Sequence, residues 1–98
     1  MKIKKKSWPE MFQDVLDGKK NFDIRISDFD CKEGDVLVLR EWDPEKKEYT
    51  GRVLEKKIKS VIKTRDLKFF TAEDIEKYGF QVLGFWFSKL YKLKKLKN

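Results

Sequence analysis

The sequence predicts a small α+β domain, mainly β, in the form of a strongly curved barrel or half-barrel of five or six short strands with an N-terminal helix and a second short helix. Three observations lead there. Apolar and charged residues alternate with a period of two in several short segments. Two segments carry helix cap and stop residues instead. The repeated strand-helix alternation of a doubly wound sheet is absent. A chain of 98 residues has room for one hydrophobic core and one domain.

Met1 to Ser7 reads as a short Lys-rich strand or arm. Ser7-Trp8-Pro9-Glu10 then marks a helix start, with Pro9 suited to the first turn and Glu10 able to reach free amides. Met11, Phe12, Val15 and Leu16 fall on one face of that helix, and Gly18 supplies a left-handed stop. Phe22-Asp23-Ile24-Arg25-Ile26 alternates strictly, which predicts a strand with Phe22, Ile24 and Ile26 inward and Asp23 and Arg25 outward. After a polar loop ending at Glu33-Gly34-Asp35, Val36 to Trp42 is dense in β-branched and apolar residues and reads as the central strand.

Asp43-Pro44 opens a turn running to Glu48, Tyr49 starts the return strand, and Gly51 interrupts it where a bulge or bend is expected. Val53 to Thr64 reads as a further strand because Val53, Ile58, Val61, Ile62 and Thr64 are β-branched. Thr71 followed by Glu73, Asp74 and Ile75, closing at Gly79, has the cap and stop of one short helix. Phe80 to Phe87 is the last expected strand. The domain thus spans residues 1–87, and residues 88–98 form a basic tail that is either frayed or ordered by a partner.

The formal charge is +7. It is concentrated at the ends: residues 1–7 contribute +4, residues 88–98 contribute +5, and the body between them carries −2. Basic ends either solubilise a chain or bind phosphate, and the excess favours an anionic partner such as nucleic acid. Histidine is absent, which removes Ser-His-Asp and Cys-His catalysis and imidazole metal ligands. The lone Cys31 has no partner for a disulfide and no neighbours for a zinc site, so neither metal nor cofactor is expected. No apolar run is long enough for a membrane span or a signal peptide, and a cytoplasmic monomer is the expectation. The preference for Lys and Glu over Asn and Gln is a bias of proteins from heat-loving organisms.

Gly18, Lys20, Asp23 and Arg25 place two cations and a carboxylate at a helix end, a turn and a strand. Asp23 and Arg25 leave the same strand face about 6 to 7 Å apart along it. Such a patch can bind an anion through Lys20 and Arg25 while Asp23 accepts from a base amino group, or it can be an ordinary surface network. Most aromatic residues belong to the core pattern. Trp8, at the helix entrance, and Phe29, in the polar loop, are the candidates for base stacking, with packing as the competing role.

Gly18-Lys19-Lys20-Asn21-Phe22-Asp23-Ile24-Arg25 resembles the GxKxxExR signature of ASCH domains, which belong to the PUA-like superfamily. Trp8-Pro9-Glu10-Met11-Phe12, Glu33 to Glu41, and Asp43-Pro44 through Thr50-Gly51-Arg52 resemble a family of small prokaryotic ASCH-related proteins in the same order. The resemblance implies a PUA-like β-barrel with Lys20, Asp23 and Arg25 in a cleft that takes RNA or a modified nucleoside. Some ASCH proteins deacetylate a modified cytidine, using the signature Lys as base and a Thr nucleophile where this chain has Asp23. A carboxylate cannot replace that hydroxyl directly, although it can serve water as a general base, and Asp66 and Glu73 are candidates for the further acid.

An RNA-binding or modified-nucleoside-binding module is therefore the leading expectation. Lys20, Asp23, Arg25, Trp8 and Phe29 would contact the ligand, and tail residues Lys92, Lys94 and Lys95 would follow its backbone. The alternatives are a small amidohydrolase acting on an N-acylated nucleoside through Lys20 and Asp23, and a protein-interaction module docking through the Lys/Leu tail.

Overall fold

Val36–Asp43 (β2) is the middle strand of an open three-stranded sheet, with Lys2–Ser7 (β1) parallel on one side and Glu48–Lys57 (β3) antiparallel on the other. The molecule is seen here as a computed structural model that describes residues 1–85. Pro9–Leu16 (α1) connects the two parallel strands, and Ala72–Tyr78 (α2) follows a single 3-10 turn at Thr64–Asp66. The protein is thus α+β and mainly β.

The helical expectations are met by the residues that predicted them. Pro9 occupies the first turn of α1, where its missing N–H has no partner to lose, and Gly18 follows the helix at φ 77°. The Thr71 hydroxyl accepts from the Asp74 N–H at 3.1 Å, and Gly79 closes α2 at φ 67°.

The β2–β3 hairpin turns on Asp43, whose side chain accepts from the backbone N–H groups of Glu45 and Lys46 at 2.9 and 3.2 Å. Its register places Trp42 opposite Tyr49 but Arg40 opposite Val53. Thr50, Gly51 and Arg52 therefore face the single residue Glu41, and Gly51 takes the φ of 97° that this bulge requires.

Alternation along β2 separates two faces. Leu39, the least exposed side chain at 1%, packs with Phe12 and Val15 of α1, and Leu37 and Leu54 border the cluster. Glu41 shares that helix-covered face. Arg40 and Trp42 have the opposite phase and stand on the outer face with Lys4 and Lys6 of β1, the register neighbours of Val38 and Arg40.

Five or six strands are not present among the described residues, and the sheet is not closed into a barrel. Val53–Thr64 is no separate strand: its first five residues complete β3, and the ladder stops at Lys57 opposite Val36, where β2 begins. There the Ile58 N–H donates to the Asp35 carbonyl and the Gly34 N–H to the Ile58 carbonyl, at 2.8 and 2.9 Å. Beyond Ile58 no further strand forms among the described residues.

Phe22–Ile26 joins no ladder, and Ile24 and Ile26 are exposed rather than inward. Its Phe22 packs by its ring on Gly84 and not through backbone pairing with the described sheet. Phe80–Phe85 likewise has no ladder. Phe80 is held by its side chain, edge-on to Phe70 with centroids 5.9 Å apart. Trp86 and Phe87, the end of that expected strand, lie outside the described residues, as do residues 88–98.

Replacing Leu39 by Ala removes the centre of the cluster and is expected to cost about 2–5 kcal/mol in urea unfolding. Ile24→Ala, at an exposed position, is expected to stay within about 0.5 kcal/mol.

Candidate nucleic-acid interface

The turn after α1 is tied by its backbone. Gly18 donates to the Val15 carbonyl, and Lys19 and Lys20 both donate to the Asp14 carbonyl, at 3.2, 2.9 and 3.1 Å. Asp23 and Arg25 meet as the spacing predicted, in a two-pronged pair with Nε–Oδ2 at 2.5 Å and Nη2–Oδ1 at 3.3 Å. Lys20 does not join them: its Nζ lies 3.4 Å from Met11 Sδ and 5.5 Å from the centre of the Phe22 ring. Both oxygens of Asp23 are engaged by Arg25, so a Lys20–Asp23 acid-base couple is not assembled in this arrangement.

Phe22 itself rests on Gly84, where an added Cβ would fall 2.8 Å from Cε1 of the ring. A glycine so far along the chain thus makes room for the residue next to the signature acid. Phe29 has the Lys5 ammonium 3.8 Å above its ring, whereas Trp8, just ahead of α1, is 62% exposed. Asp66 sits in the 3-10 turn and Glu73 in the first turn of α2, both exposed. Lys92, Lys94 and Lys95 fall outside the described residues.

The sheet supplies charged groups that the sequence reading did not single out. Glu41 is buried on the helix side, where its Oε1 accepts from the Thr50 hydroxyl at 2.6 Å and from Arg52 Nε at 2.9 Å, and its Oε2 from Arg52 Nη2 at 2.8 Å. Arg52 also donates to Gln13 Oε1 at 3.0 Å and lies 4.8 Å above the Phe12 ring. Hydrogen bonds from Arg52, then from Thr50, hold the Glu41 carboxyl below its ordinary range against the opposing effect of burial. The same pairing raises the Arg52 guanidinium above its ordinary value. Asp35 is lowered chiefly by the Lys32 backbone N–H, and the Met1 ammonium 3.2 Å away adds to this.

The outer face is cationic. Lys4, Lys5, Lys6, Arg40 and Tyr49 line a concavity of about 270 Å³, and none of the five is acidic. Lys6 Nζ stands 3.8 Å above the Trp42 ring, the Arg40 guanidinium 3.8 Å above Tyr49, and the two rings meet edge to face with centroids 4.9 Å apart. Among the described residues none of these four cations pairs with a carboxylate, whereas Lys2 reaches Glu55 at 2.9 Å. A larger groove of about 430 Å³ lies at the far end of β3, but Glu33 stands there beside Lys57 and Lys59 and no aromatic ring lines it.

Arg40, Trp42 and Tyr49 were missed because they read as part of an apolar strand and its return. The signal was present: once Leu37 and Leu39 face the core, Arg40 and Trp42 must face away.

The arrangement defines a small α+β protein with an unneutralised basic and aromatic sheet face. Residues 3–85 match the model of a family described as a domain of unknown function, DUF3850, and the chain belongs to that family. No curated protein and no solved structure matches it. Among the described residues there is no group of His, Cys, Asp and Glu that could hold a metal ion, and no helix is long and apolar enough to cross a membrane.

The lowered carboxyl of Glu41 makes stability depend on pH. Its contribution is fully present above the ordinary glutamate value of about 4.3 and is lost as pH falls through the lower value it has when folded. In Arg52→Gln the folded value moves back up, so the unfolding midpoint is expected to drop at pH 7 and to change less between pH 5 and 3 (about the range of the titration). Thermal melts across that range check both effects.

Proposed function

We propose that the chain is an RNA-binding module, related to the ASCH group of the PUA-like superfamily by its signature turn, and that RNA is held on the outer face of the sheet. The observation that carries this reading is the concavity on whose face Lys4, Lys6 and Arg40 stand together, none of them paired with an acid among the described residues. Cations held over aromatic rings keep their charge available to a phosphate, which a salt bridge would not. The exposed Trp8 offers a ring face for an unstacked base, which supports single-stranded or looped RNA over duplex. In this reading Arg25, oriented by Asp23, and Lys20 belong to a second contact at the turn after α1.

Binding of a short single-stranded RNA, followed by fluorescence anisotropy, is expected to weaken steeply with salt. Replacing Lys6 by Ala should weaken it and reduce the slope of log K against log salt by about 0.7, the value for one phosphate contact on a single strand. Lys77→Ala, on α2, should leave both unchanged. Binding no stronger than that of a neutral control protein at low salt would remove the proposal. Free cytidine appearing from acetylated cytidine would instead favour the amidohydrolase, for which Lys20 and Asp23 would have to leave their present partners.

A further inference from the structure

The outer-face concavity contains a feature that backbone tracking does not require. Lys6 of β1 stands directly opposite Arg40 of β2 in the parallel register, and Lys4 is one position away on the same face. Like charges in facing positions destabilise a sheet. Here no carboxylate among the described residues pairs with them, although Glu55, on the same face of the sheet, is engaged by Lys2. The repulsion is therefore built into the bare protein, concentrated at one place and unrelieved. A strand of RNA offers one charge per internal phosphodiester, spread along its length. Three cations whose side chains share that face, Lys4, Lys6 and Arg40, lining about 270 Å³, are matched better by a compact group of higher charge. A terminal phosphate carries about −1.5 to −2 at pH 7, and each further phosphate in an oligophosphate adds to it within a few ångströms.

Resting on the RNA-binding reading, we propose that this concavity is a receptor for a terminal oligophosphate, the 5′-di- or triphosphate of an RNA end or of a free nucleotide. The two strands give complementary donors. Lys4 and Lys6 present compact ammonium charges suited to the non-bridging oxygens, and Arg40 is a planar fork. Arg40 lies with its guanidinium carbon 3.8 Å from the centre of the Tyr49 ring, and among the described residues it has no carboxylate partner, so its N–H groups are available to the oxygens of a phosphate. Lys6 is held in the same way over Trp42. The rings thus fix the cations without cancelling them, and the ligand supplies the negative charge that the sheet lacks. Lys5, the register neighbour of Leu39, has the opposite phase, and its ammonium lies over Phe29 of the loop, so it is not among the donors to the phosphate.

The test compares one short RNA bearing either a 5′-triphosphate or a 5′-hydroxyl, with the full chain. The triphosphate form is expected to bind at least about tenfold more tightly, the scale of one added charge-assisted contact. Arg40→Gln and Lys4→Gln should each remove most of that preference, and Lys4→Gln, at an exposed position, serves if Arg40→Gln does not fold. Inorganic tripolyphosphate should raise the melting temperature of the protein and compete for the 5′-triphosphate RNA.

A nucleoside triphosphate that competes as well as the RNA end would identify a free nucleotide as the source. Competition by the RNA end alone would identify the transcript. Equal binding of the two RNAs overturns the oligophosphate receptor and leaves RNA binding in place, whereas failure of both to bind overturns the two readings together.

Discussion

The Glu41 carboxylate is the point on which the rest of the sheet depends. It lies on the helix-covered face of the central strand, where an unpaired charge would be costly, and it is satisfied only because β3 bulges to bring Thr50 and Arg52 to it together. Gly51 makes that bulge possible, and Arg52 continues past Glu41 to Gln13 and the face of Phe12, which fastens α1 to the hairpin. One buried charge therefore couples the bulge, the helix and the hydrophobic cluster. The same bulge resets the hairpin register so that Tyr49 faces Trp42, and the ring pair that supports Lys6 and Arg40 exists because Glu41 needed three residues opposite it.

This coupling separates what was legible in the sequence from what was not. Local chemistry was legible: Pro9 and Gly18 bounded α1, Thr71 and Gly79 bounded α2, Asp43-Pro44 turned the hairpin, and Gly51 marked the bulge. Each of these effects is decided within a few residues. Strand number was not legible, because a strand requires a partner with free backbone groups. Phe22–Ile26 and Phe80–Phe85 have the right alternation or apolar content, yet neither is bonded to a strand among the described residues. Alternation reports that one face is apolar, not that a neighbour exists.

The site was half legible for the same reason. Asp23 and Arg25 could be paired from their spacing because two residues on an extended segment share a face. The lysines of β1 could be recognised as a basic run, but not as half of a concavity. Its other half, Arg40 and Tyr49, arrives through a parallel pairing across more than thirty residues of chain and through the register shift at Glu41 (about the separation at which closing the loop, not local preference, decides the pairing). Lys20 was expected beside Asp23 and lies instead against Met11, since the hydrogen bonds to Asp14 turn the backbone there toward the helix.

The parallel strand β1 is bonded on one side only, and its side chains contribute nothing to the Phe12, Val15 and Leu39 cluster. It can therefore detach by local opening while the hairpin and helix remain folded. That strand carries Lys4 and Lys6, two of the three cations that face the concavity. An anion bridging β1 to Arg40 would act as a rivet on this edge strand, so occupancy would be reported first by slower hydrogen exchange at Ile3 to Lys6, before any change in the core.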